Sequence, residues 1–413
     1  MTSHVVLGLG GCVDYELKLS SSTLERLVDE YQIRNAELTS SLTVTNEREL
    51  VISILSYLKK GGGGEHFVAS SECLSAFAGR FPKRTTLGGT SVRAAMEMSR
   101  FGVPSTLHLV SINDIVRRLL PAGCDYICSG DEDTFYPHLI VQYDQDMRVR
   151  AGDIDIRAPF PNRLIYVNDP ANESMLLSGE LGSLLRDARV FLISGFNAIR
   201  DRRTLDLRLS TLRSHMRQLP AEAVVYYEDA GFHEPGLSQR VRDALLEVVD
   251  IHGLNEDEMQ SYLGYAVNLL SVTEVASALE SLRALIPVKT LVVHTKYWSA
   301  AFGERAGEYA EPLNEGILIA STRYSHGDEY TNDHYELMRN RARRKESVEF
   351  AAALEGRMGG VVRCLPGFDL DVAAPTTIGL GDAFVGGFLT AVSLGSSTPP
   401  LTTGRQDQDP RVP

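Results

Sequence analysis

Cysteine is scarce in this chain, and its spacing is irregular. The 413 residues include five cysteines, namely Cys12, Cys73, Cys124, Cys128 and Cys364. An odd and scattered set argues against a disulfide framework, so we expect a reducing, cytoplasmic setting. Cys124 and Cys128 lack a further cysteine or a nearby histidine at ligand spacing, so no zinc site is expected there. We interpret all five cysteines as packing residues.

Long apolar runs and an excess of basic charge are also lacking. No stretch approaches the roughly 18 to 20 apolar residues of a membrane span, and the first residues are not those of a cleavable leader, so neither a span nor a signal peptide is expected. The net charge of −13 opposes broad attraction to nucleic acid or to anionic membranes. An anionic ligand would therefore need a local basic pocket. With 43% hydrophobic and 23% charged residues, the composition is that of a folded globular protein.

The chain contains a repeated alternation of apolar, strand-like runs with helical patterns. Such alternation favours parallel strands joined by right-handed helical crossovers, so we predict an α/β fold. The predicted strands of this sheet are residues 5–12, 106–110, 190–194, 224–228, 251–254 and 288–294, with helices at 205–219 and 235–248. The basic run from Arg341 to Lys345 is interpreted as a solvated helix face.

Two segments differ from this alternation. Residues 15–85 have a mixed pattern, with a helical stretch from Leu50 to Lys60 and then four glycines, which require a mobile or tightly turned loop. Residues 138–143 and 163–167 are typical of a small sheet that covers a cleft. The predicted organisation is a large domain of residues 1–14, 86–132 and 171–395, a lid of residues 15–85 and 133–170, and a frayed tail at 396–413.

The strongest chemical signal is the segment Gly379-Leu380-Gly381-Asp382. Its two glycines allow backbone N–H groups to converge at a helix N-terminus, where unpaired amides and the helix dipole favour phosphate oxygens. A carboxylate in the first turn can accept the proton of an attacking hydroxyl. Phosphoryl transfer needs this anion cradle and this base side by side. Standing alone, the segment would suit a glycine C-cap followed by an aspartate N-cap equally well.

This segment resembles the GxGD signature of the ribokinase superfamily, and most of the chain resembles the ADP-dependent glucokinase and phosphofructokinase family. The resemblance implies a ribokinase-like three-layer α/β/α domain with a small β-rich lid. It also implies that Asp382 is the catalytic base, with Gly379 and Gly381 beside it.

Three further segments resemble the family's acceptor site. Residues 8–14 resemble the N-terminal strand whose aspartate, here Asp14, binds sugar hydroxyls. The glycine-rich loop that ends in Glu65 resembles the lid segment whose glutamate contacts the sugar. The segment Gly88-Gly89-Thr90 resembles the GGN motif of the sugar site.

Acidic residues after two predicted strands point to a metal site. Residues 225–228 and 253–258 resemble the HxE and NxxE-type motifs that the family associates with its metal–phosphate site. On physical grounds, Glu228 at a strand end and Glu256 or Glu258 at a helix start can converge at the open end of a parallel sheet. Their oxygen ligands suit Mg²⁺. For Glu256 or Glu258 alone, a carboxylate that merely complements the helix dipole is the stronger interpretation.

Nucleotide-binding residues are expected at Asn255, at His294 and at the turn formed by Gly379, Leu380 and Gly381. His294 follows a predicted strand near the expected adenine region, although an ordinary hydrogen-bonded strand-end histidine is the simpler interpretation. Arg200 is expected to supply positive charge to the donor phosphates. The start of a surface helix would explain Arg200 equally well.

The chain departs from the family's pattern at Gly10, Thr90 and Tyr226, where the family commonly has Asn, Asn and His. Gly10 and Thr90 lie in the expected acceptor pocket. Replacing an amide there by Gly or Thr removes a group that both donates and accepts hydrogen bonds. The sequence therefore determines the chemistry better than it determines the acceptor.

The expected reaction is transfer of a phosphoryl group from ADP to a hydroxyl of a hexose, with AMP as product. Glu65 favours a neutral hexose such as glucose because a carboxylate would repel an acceptor phosphate. Fructose 6-phosphate fits if lid arginines such as Arg163 face the pocket. The alternatives are a kinase of the same fold for a nucleoside or modified sugar, with ATP as another donor, and a non-catalytic nucleotide- or sugar-binding regulator. No nucleic-acid or membrane partner is expected.

Overall fold

The computed structural model describes residues 5–232, 234–372 and 375–395, so the predicted tail at 396–413 lies outside the described residues. The strands are β1 (Val5–Leu7), β2 (Cys12–Lys18), β3 (Gly64–Phe67), β4 (Lys83–Gly88), β5 (Ser105–Leu109), β6 (Cys124–Cys128), β7 (His138–Tyr143), β8 (Arg148–Ala151), β9 (Ile154–Arg157), β10 (Asn162–Val167), β11 (Val190–Ile193), β12 (Val224–Glu228), β13 (Ile251–Asn255), β14 (Thr290–His294), β15 (Trp298–Gly303) and β16 (Val362–Pro366).

The helices fall between these strands in chain order. They are α1 (Ser21–Tyr31), α2 (Glu47–Lys60), α3 (Ser71–Ala78), α4 (Thr90–Arg100), α5 (Asp114–Leu119), α6 (Pro170–Ser174), α7 (Leu181–Leu185), α8 (Arg202–Met216), α9 (Pro235–Leu245), α10 (Glu256–Leu263), α11 (Val272–Leu285), α12 (Ala310–His326), α13 (Asn332–Arg339), α14 (Lys345–Met358) and α15 (Leu380–Leu394). None of the helices in the described part of the chain is long and apolar enough to cross a membrane.

The larger sheet has the strand order β16-β15-β14-β13-β12-β11-β1-β5-β6 within the described residues. In this order, the seven strands β14, β13, β12, β11, β1, β5 and β6 run parallel to one another. β15 and β16 add an antiparallel edge. Parallel neighbours need crossover connections, which cover both faces of the sheet with helices. The carboxyl ends of these strands meet along one edge, where α/β folds bind ligands.

Successive residues of the central strands enter cores on opposite faces of this sheet. Phe191 and Tyr227 share one core with residues of α8, α9, α11 and α14. Leu192 and Tyr226 share the other with residues of α4, α12 and α15. The predicted three-layer α/β/α architecture is therefore confirmed.

The smaller sheet has the strand order β3-β10-β7-β2-β4. Helices α1, α2 and α3 pack on one of its faces, around a core that includes Leu17, Leu55 and Val141. Side chains alternate along a strand, so Asp14 and Glu16 of β2 point away from that core. This second face carries the polar groups that meet the larger sheet's helices.

The first predicted strand, residues 5–12, is in fact divided between the two sheets. β1 ends at Leu7, Gly10 takes a left-handed φ of 73°, and β2 begins at Cys12. Asp14 therefore lies inside β2 and not at the mouth of β1. The domain boundaries predicted after Asp14 and after Thr85 fall within β2 and β4, which pair with each other from Cys12–Gly88 to Leu17–Lys83.

The interpretation of residues 341–345 as a helix face is wrong for residues 341–344, which connect α13 to α14. The Arg343 guanidinium lies 3.7 Å from the Phe368 ring and donates to the Pro366 carbonyl at 2.7 Å. These tertiary contacts hold the connection in an extended form, which charge patterning along the sequence does not reveal.

Candidate active site

A cavity of about 1300 Å³ lies where the carboxyl ends of the larger sheet meet the smaller sheet. Its wall includes Glu65 and Arg163 from the smaller sheet. Glu228, Asn255 and His294 line it from the ends of β12, β13 and β14. The segment 379–382 completes the wall, so residues far apart in sequence meet around one volume.

The N-terminus of α15 forms one side of this cavity. Its N-cap is Gly379, with a φ of 65°, and Asp382 lies in the first turn with 22% of its side chain exposed. A Cβ at Gly379 would lie 2.8 Å from Arg93 Cδ and 3.1 Å from Asp382 Oδ2. Glycine is thus required both by the left-handed conformation and by the space available. The first-turn N–H groups of α15 lack helical partners, so this end of the helix suits an anion.

Arg93, which the sequence analysis did not single out, joins this turn to the smaller sheet. Its guanidinium is buried, lies 2.9 Å from Asp14 and 3.3 Å from Glu16, and has its Nε 3.8 Å from Asp382 Oδ2. Burial lowers the pKa of Arg93, but the negative charges of Asp14, Asp382 and Glu16 raise it by more, so the net shift is upward. Arg93 is therefore a fixed positive charge between three carboxylates. Only its position after Gly88-Gly89-Thr90 hints at this in the sequence.

The glycines of the Gly88-Gly89-Thr90 segment are explained by crowding. A Cβ at Gly88 would overlap the Asp14 carboxylate. Gly89 has a φ of 92°, and a Cβ there would lie 3.0 Å from Gly11 Cα. The segment ends β4 and begins α4, and Thr90 lines the cavity. Thr90 and Glu65 thus line the same cavity, whereas Asp14, Gly88 and Gly89 lie behind Thr90 and are not among the described lining residues.

Glu228 and His294 form a buried pair at the ends of β12 and β14, which lie on either side of β13. His294 Nε2 lies 2.8 Å from Glu228 Oε1, and the His294 ring stacks on Phe384 at 4.6 Å. Burial lowers the pKa of His294, but Glu228 and its acidic neighbours raise it overall. The other carboxylate oxygen of Glu228 is buried without a hydrogen-bond partner.

Glu258 and Asn255 form a capping box at the start of α10. The Asn255 side chain accepts from Glu258 N at 3.0 Å, and the Glu258 carboxylate accepts from Asn255 N at 2.8 Å. Burial, with the Glu228 carboxylate as the next cause, raises the pKa of Glu258 to about 8. Two neighbouring carboxylates, one of which has a buried oxygen without a hydrogen-bond partner, fit a divalent cation.

The fit is to a hydrated ion. Among the residues that the structure describes, no three ligand atoms of His, Cys, Asp or Glu gather within 4.8 Å at this edge. Mg²⁺ is commonly held through one or two carboxylates, with water and substrate phosphates completing its shell. Glu256 lines the cavity, but its Oε1 accepts from Lys296 N at 3.4 Å. Glu228 and Glu258 are therefore better placed than Glu256.

Arg200 is not brought to the cavity wall in the described part of the chain. Its guanidinium lies over the Phe67 ring at 4.3 Å, and its Nη1 is 3.9 Å from Glu173. The helix that follows, α8, begins at Arg202 with Asp201 as its N-cap. These contacts are those of a residue before a surface helix.

Comparison with known proteins places this arrangement in a family. The model of the ADP-specific phosphofructokinase/glucokinase conserved region matches residues 3–355. The chain belongs to the ADP-specific phosphofructokinase and glucokinase family. It is accordingly a sugar kinase, a phosphotransferase whose acceptor is an alcohol group. The matched region ends before Asp382, so the GxGD segment is an observation additional to that match. A search of curated protein sequences found no match.

Solved structures share the fold at low sequence identity. A hypothetical ADP-dependent phosphofructokinase from Pyrococcus horikoshii is 18% identical, with a TM-score of 0.78 over 95% of this chain and 98% of that chain. An ADP-dependent kinase in complex with fructose 6-phosphate and ADPβS is 11% identical, with a TM-score of 0.70 over 96% and 95%. Adenosine kinase from Sinorhizobium meliloti is 12% identical, with a TM-score of 0.52 over 96% and 89%.

The structure shows what surrounds two of the positions at which the chain departs from the family's pattern. A Cβ at Gly10 would overlap the Asn172 side-chain oxygen, so an amide from α6 occupies the space beside Gly10. The Asn172 amide donates to the Gly11 carbonyl at 3.0 Å. Tyr226 is fully buried, and its hydroxyl and the Glu228 carboxylate both crowd Gly253. Nothing in the described residues explains the change at Thr90.

Basic side chains in the wall were largely missed by sequence reasoning. They are Arg163, Arg242, Lys296 and Arg344. Arg163 is the lid arginine named in the sequence analysis, and it does face the cavity. Burial lowers the pKa of Arg163, while Asp382 and Asp257 act in the opposite direction. The same wall also carries seven carboxylates, so these four cations offset only part of its negative charge.

Proposed function

We propose that the protein transfers the β-phosphoryl group of ADP to a hydroxyl of a hexose and releases AMP. One observation carries the proposal: Asp382 and the glycine turn at the start of α15 share a cavity with Glu65 of the smaller sheet and with the Glu228–Glu258 pair. A base, an anion cradle, a candidate metal site and a candidate acceptor contact therefore surround one volume. The solved relative that holds both fructose 6-phosphate and an ADP analogue supports this assignment of the two ligands.

In the proposed reaction, the acceptor oxygen attacks the β-phosphorus while Asp382 takes the hydroxyl proton. The bond from the β-phosphorus to the oxygen that stays on AMP breaks. The N–H groups of Gly379, Leu380 and Gly381 stabilise the charge that develops on the phosphoryl oxygens. Arg93, with its Nε 3.8 Å from Asp382 Oδ2, orients the base.

Mg²⁺ is the proposed metal, and Glu228 and Glu258 are the residues that would hold it, partly through water. It would supply positive charge to the donor phosphates. Asn255 and His294, beside this pair, are proposed to line the nucleotide side of the cavity. Arg242, Lys296 and Arg344 are better placed than Arg200 to neutralise the nucleotide's charge.

The smaller sheet is proposed to act as a lid that carries acceptor contacts. Asp14, Glu65 and the Gly88–Thr90 segment are the proposed acceptor residues. Glu65 favours a neutral hexose, whereas Arg163 in the same wall favours an acceptor that carries a phosphate. Glu65 and Arg163 thus favour different acceptors, and the assay below compares a neutral hexose with a hexose phosphate.

The test is a phosphoryl-transfer assay that crosses ADP and ATP with glucose, fructose 6-phosphate and adenosine, with Mg²⁺ present and AMP measured as product. We expect turnover with ADP and at least one hexose. Transfer only from ATP, or only to adenosine, would contradict the proposal. Binding of nucleotide with no transfer to any acceptor would favour the non-catalytic regulator instead.

A further inference from the structure

A cluster of a thiol, a carboxylate and an imidazole lies where β2 and β7 pair. Cys12, Asp14 and His138 each offer one ligand atom, and these atoms lie within 4.8 Å of one another. Cys12 Sγ is 3.2 Å from Asp14 Oδ1, and His138 Nδ1 is 3.9 Å from the same oxygen. Asp14 and His138 are direct cross-strand partners, which brings together residues more than a hundred positions apart in sequence.

These separations are close to those of a tetrahedral zinc site. Zinc binds thiolate sulfur at about 2.3 Å and nitrogen or oxygen at about 2.0 to 2.2 Å, so the edges of its tetrahedron measure about 3.3 to 3.6 Å. The 3.2 Å and 3.9 Å separations to Asp14 bracket that range, and the third separation, between the thiol and the imidazole, is at most 4.8 Å. Small side-chain shifts would suffice to bring all three atoms onto one ion.

The His138 ring is held in place by a carboxylate on its other ring nitrogen. His138 Nε2 lies 3.1 Å from the buried Asp169 carboxylate, which leaves Nδ1 on the side of Cys12 and Asp14. Metal-bound histidines are commonly oriented by such a carboxylate on the other ring nitrogen. Asp169 is itself fixed by the Asn172 amide at 2.6 Å, and Asp14 directs its other oxygen to Arg93 at 2.9 Å.

We propose that Cys12, Asp14 and His138 form a binding site for Zn²⁺ or another thiophilic divalent cation, with Asp169 as the positioning residue behind His138. The fourth position is left for water, because Cys12 is only partly buried and the His138 side chain is 18% exposed. On binding, the ion replaces the thiol proton and any proton on His138 Nδ1, which pass to solvent. The interpretation of Cys12 as a packing residue is thereby revised.

One consequence rests on the proposed function. Asp14 is the proposed acceptor residue, so an ion on Asp14 Oδ1 competes with the acceptor for that oxygen. Zinc is then an inhibitor that a high acceptor concentration relieves. This consequence is distinct from the binding site itself, which the following experiment tests without nucleotide or sugar.

The experiment is a titration of the full-length, metal-free protein with Co²⁺, followed by the near-ultraviolet charge-transfer band of thiolate-bound cobalt, and then displacement with Zn²⁺. We expect the band to appear at one equivalent, to vanish in Cys12→Ser and to persist in the control Cys128→Ser. Asp169→Asn should keep the band but weaken cobalt affinity about 10- to 100-fold. Loss of the band in Cys128→Ser but not in Cys12→Ser, or no band at all, would overturn the site.

Discussion

The Arg93 guanidinium determines how the acidic residues of the site are arranged. It lies within 4 Å of carboxylate oxygens on Asp14, Glu16 and Asp382, and it is buried. A buried arginine needs such partners, and the partners are in turn fixed by it. Glu16 is held further by Arg84 at 2.6 Å. The proposed base and the proposed acceptor residue are therefore positioned by a single side chain.

Changing Asp382 to Asn tests the base. The amide keeps the size of the side chain but cannot accept the hydroxyl proton, so we expect kcat to fall about 100- to 10,000-fold with nucleotide affinity nearly unchanged. Steady-state kinetics with nucleotide binding by calorimetry measures both quantities. Asp257→Asn is the matched control, since Asp257 also lines the cavity at a helix start but has no proposed proton transfer. Near-normal turnover in Asp382→Asn would remove Asp382 from the mechanism.

Changing Glu228 or Glu258 to Gln tests the metal site. Each substitution removes one of the two carboxylates proposed to hold hydrated Mg²⁺, so the Mg²⁺ concentration at half-maximal activity should rise and kcat should fall. Glu256→Gln, whose carboxylate contacts Lys296 N, is expected to have the smaller effect. Activity measured across a Mg²⁺ titration decides. Equal Mg²⁺ dependence in all three variants and the parent would make these carboxylates structural.

Among the secondary-structure elements, α15 contributes both to the core of the larger domain and to the proposed active site. Its N-cap needs a left-handed residue, its first turn carries Asp382, and its later turns are buried against α4 and α12 through residues such as Phe388. Gly386 and Gly387 allow this close approach, because a Cβ at either would lie within 3 Å of neighbouring atoms. The packing of the helix therefore fixes where its N-terminal amides point.

Changing Gly379 to Ala should damage both properties at once. A left-handed non-glycine residue costs about 1 to 2 kcal/mol, and the new methyl group would displace Arg93 from its contact with Asp382. We expect a lower free energy of unfolding and a kcat reduced at least tenfold, measured by denaturant titration and kinetics. In the control Gly356→Ala, within α14, the Cβ meets open space, so stability should rise by up to about 1 kcal/mol. Unchanged kcat in Gly379→Ala would argue against the anion cradle.

Across the whole molecule, the smaller sheet must approach the larger domain for its residues to reach the acceptor. The four glycines before Glu65 are more ordered than the sequence suggests. Gly61 caps α2 with a φ of 69°, the Gly62 carbonyl accepts from the Tyr143 hydroxyl, and Gly64 begins β3. β3 is an edge strand of its sheet, paired only with β10 among the described strands. An edge strand opens locally more easily than a central strand, so ligand contacts can add stability there.

Hydrogen exchange tests closure of this lid. With nucleotide and acceptor both bound, we expect exchange in residues 61–68 to slow, because ligand contacts order the edge strand and exclude water. The central strand β7 of the same sheet serves as the internal reference and should change little. Glu65→Ala should weaken acceptor binding far more than nucleotide binding. Equal weakening of both ligands would mean that Glu65 does not belong to the acceptor site.

The parts of the fold that depend on local pattern were predictable from the sequence. The β12 strand was predicted with its observed bounds, and the three-layer architecture follows from regular alternation of strands and helices. Helices α1 and α3 were not predicted, although Leu24, Leu27 and Val28 of α1 have helical spacing and are buried. The connection at residues 341–344 was missed because it depends on Phe368 and Pro366, which follow more than twenty residues later.

By itself the sequence determined the α/β class and the chemical character of the Gly379–Asp382 turn, because helix periods, strand runs and glycine-rich turns are encoded by neighbouring residues. It also carried the family resemblance. Only the tertiary structure decided that Asp14 lies inside the smaller sheet, that Arg93 joins it to Asp382, and that Cys12 meets His138. These relations come from pairing between strands and from burial of charge, and both bring together residues that no local pattern connects.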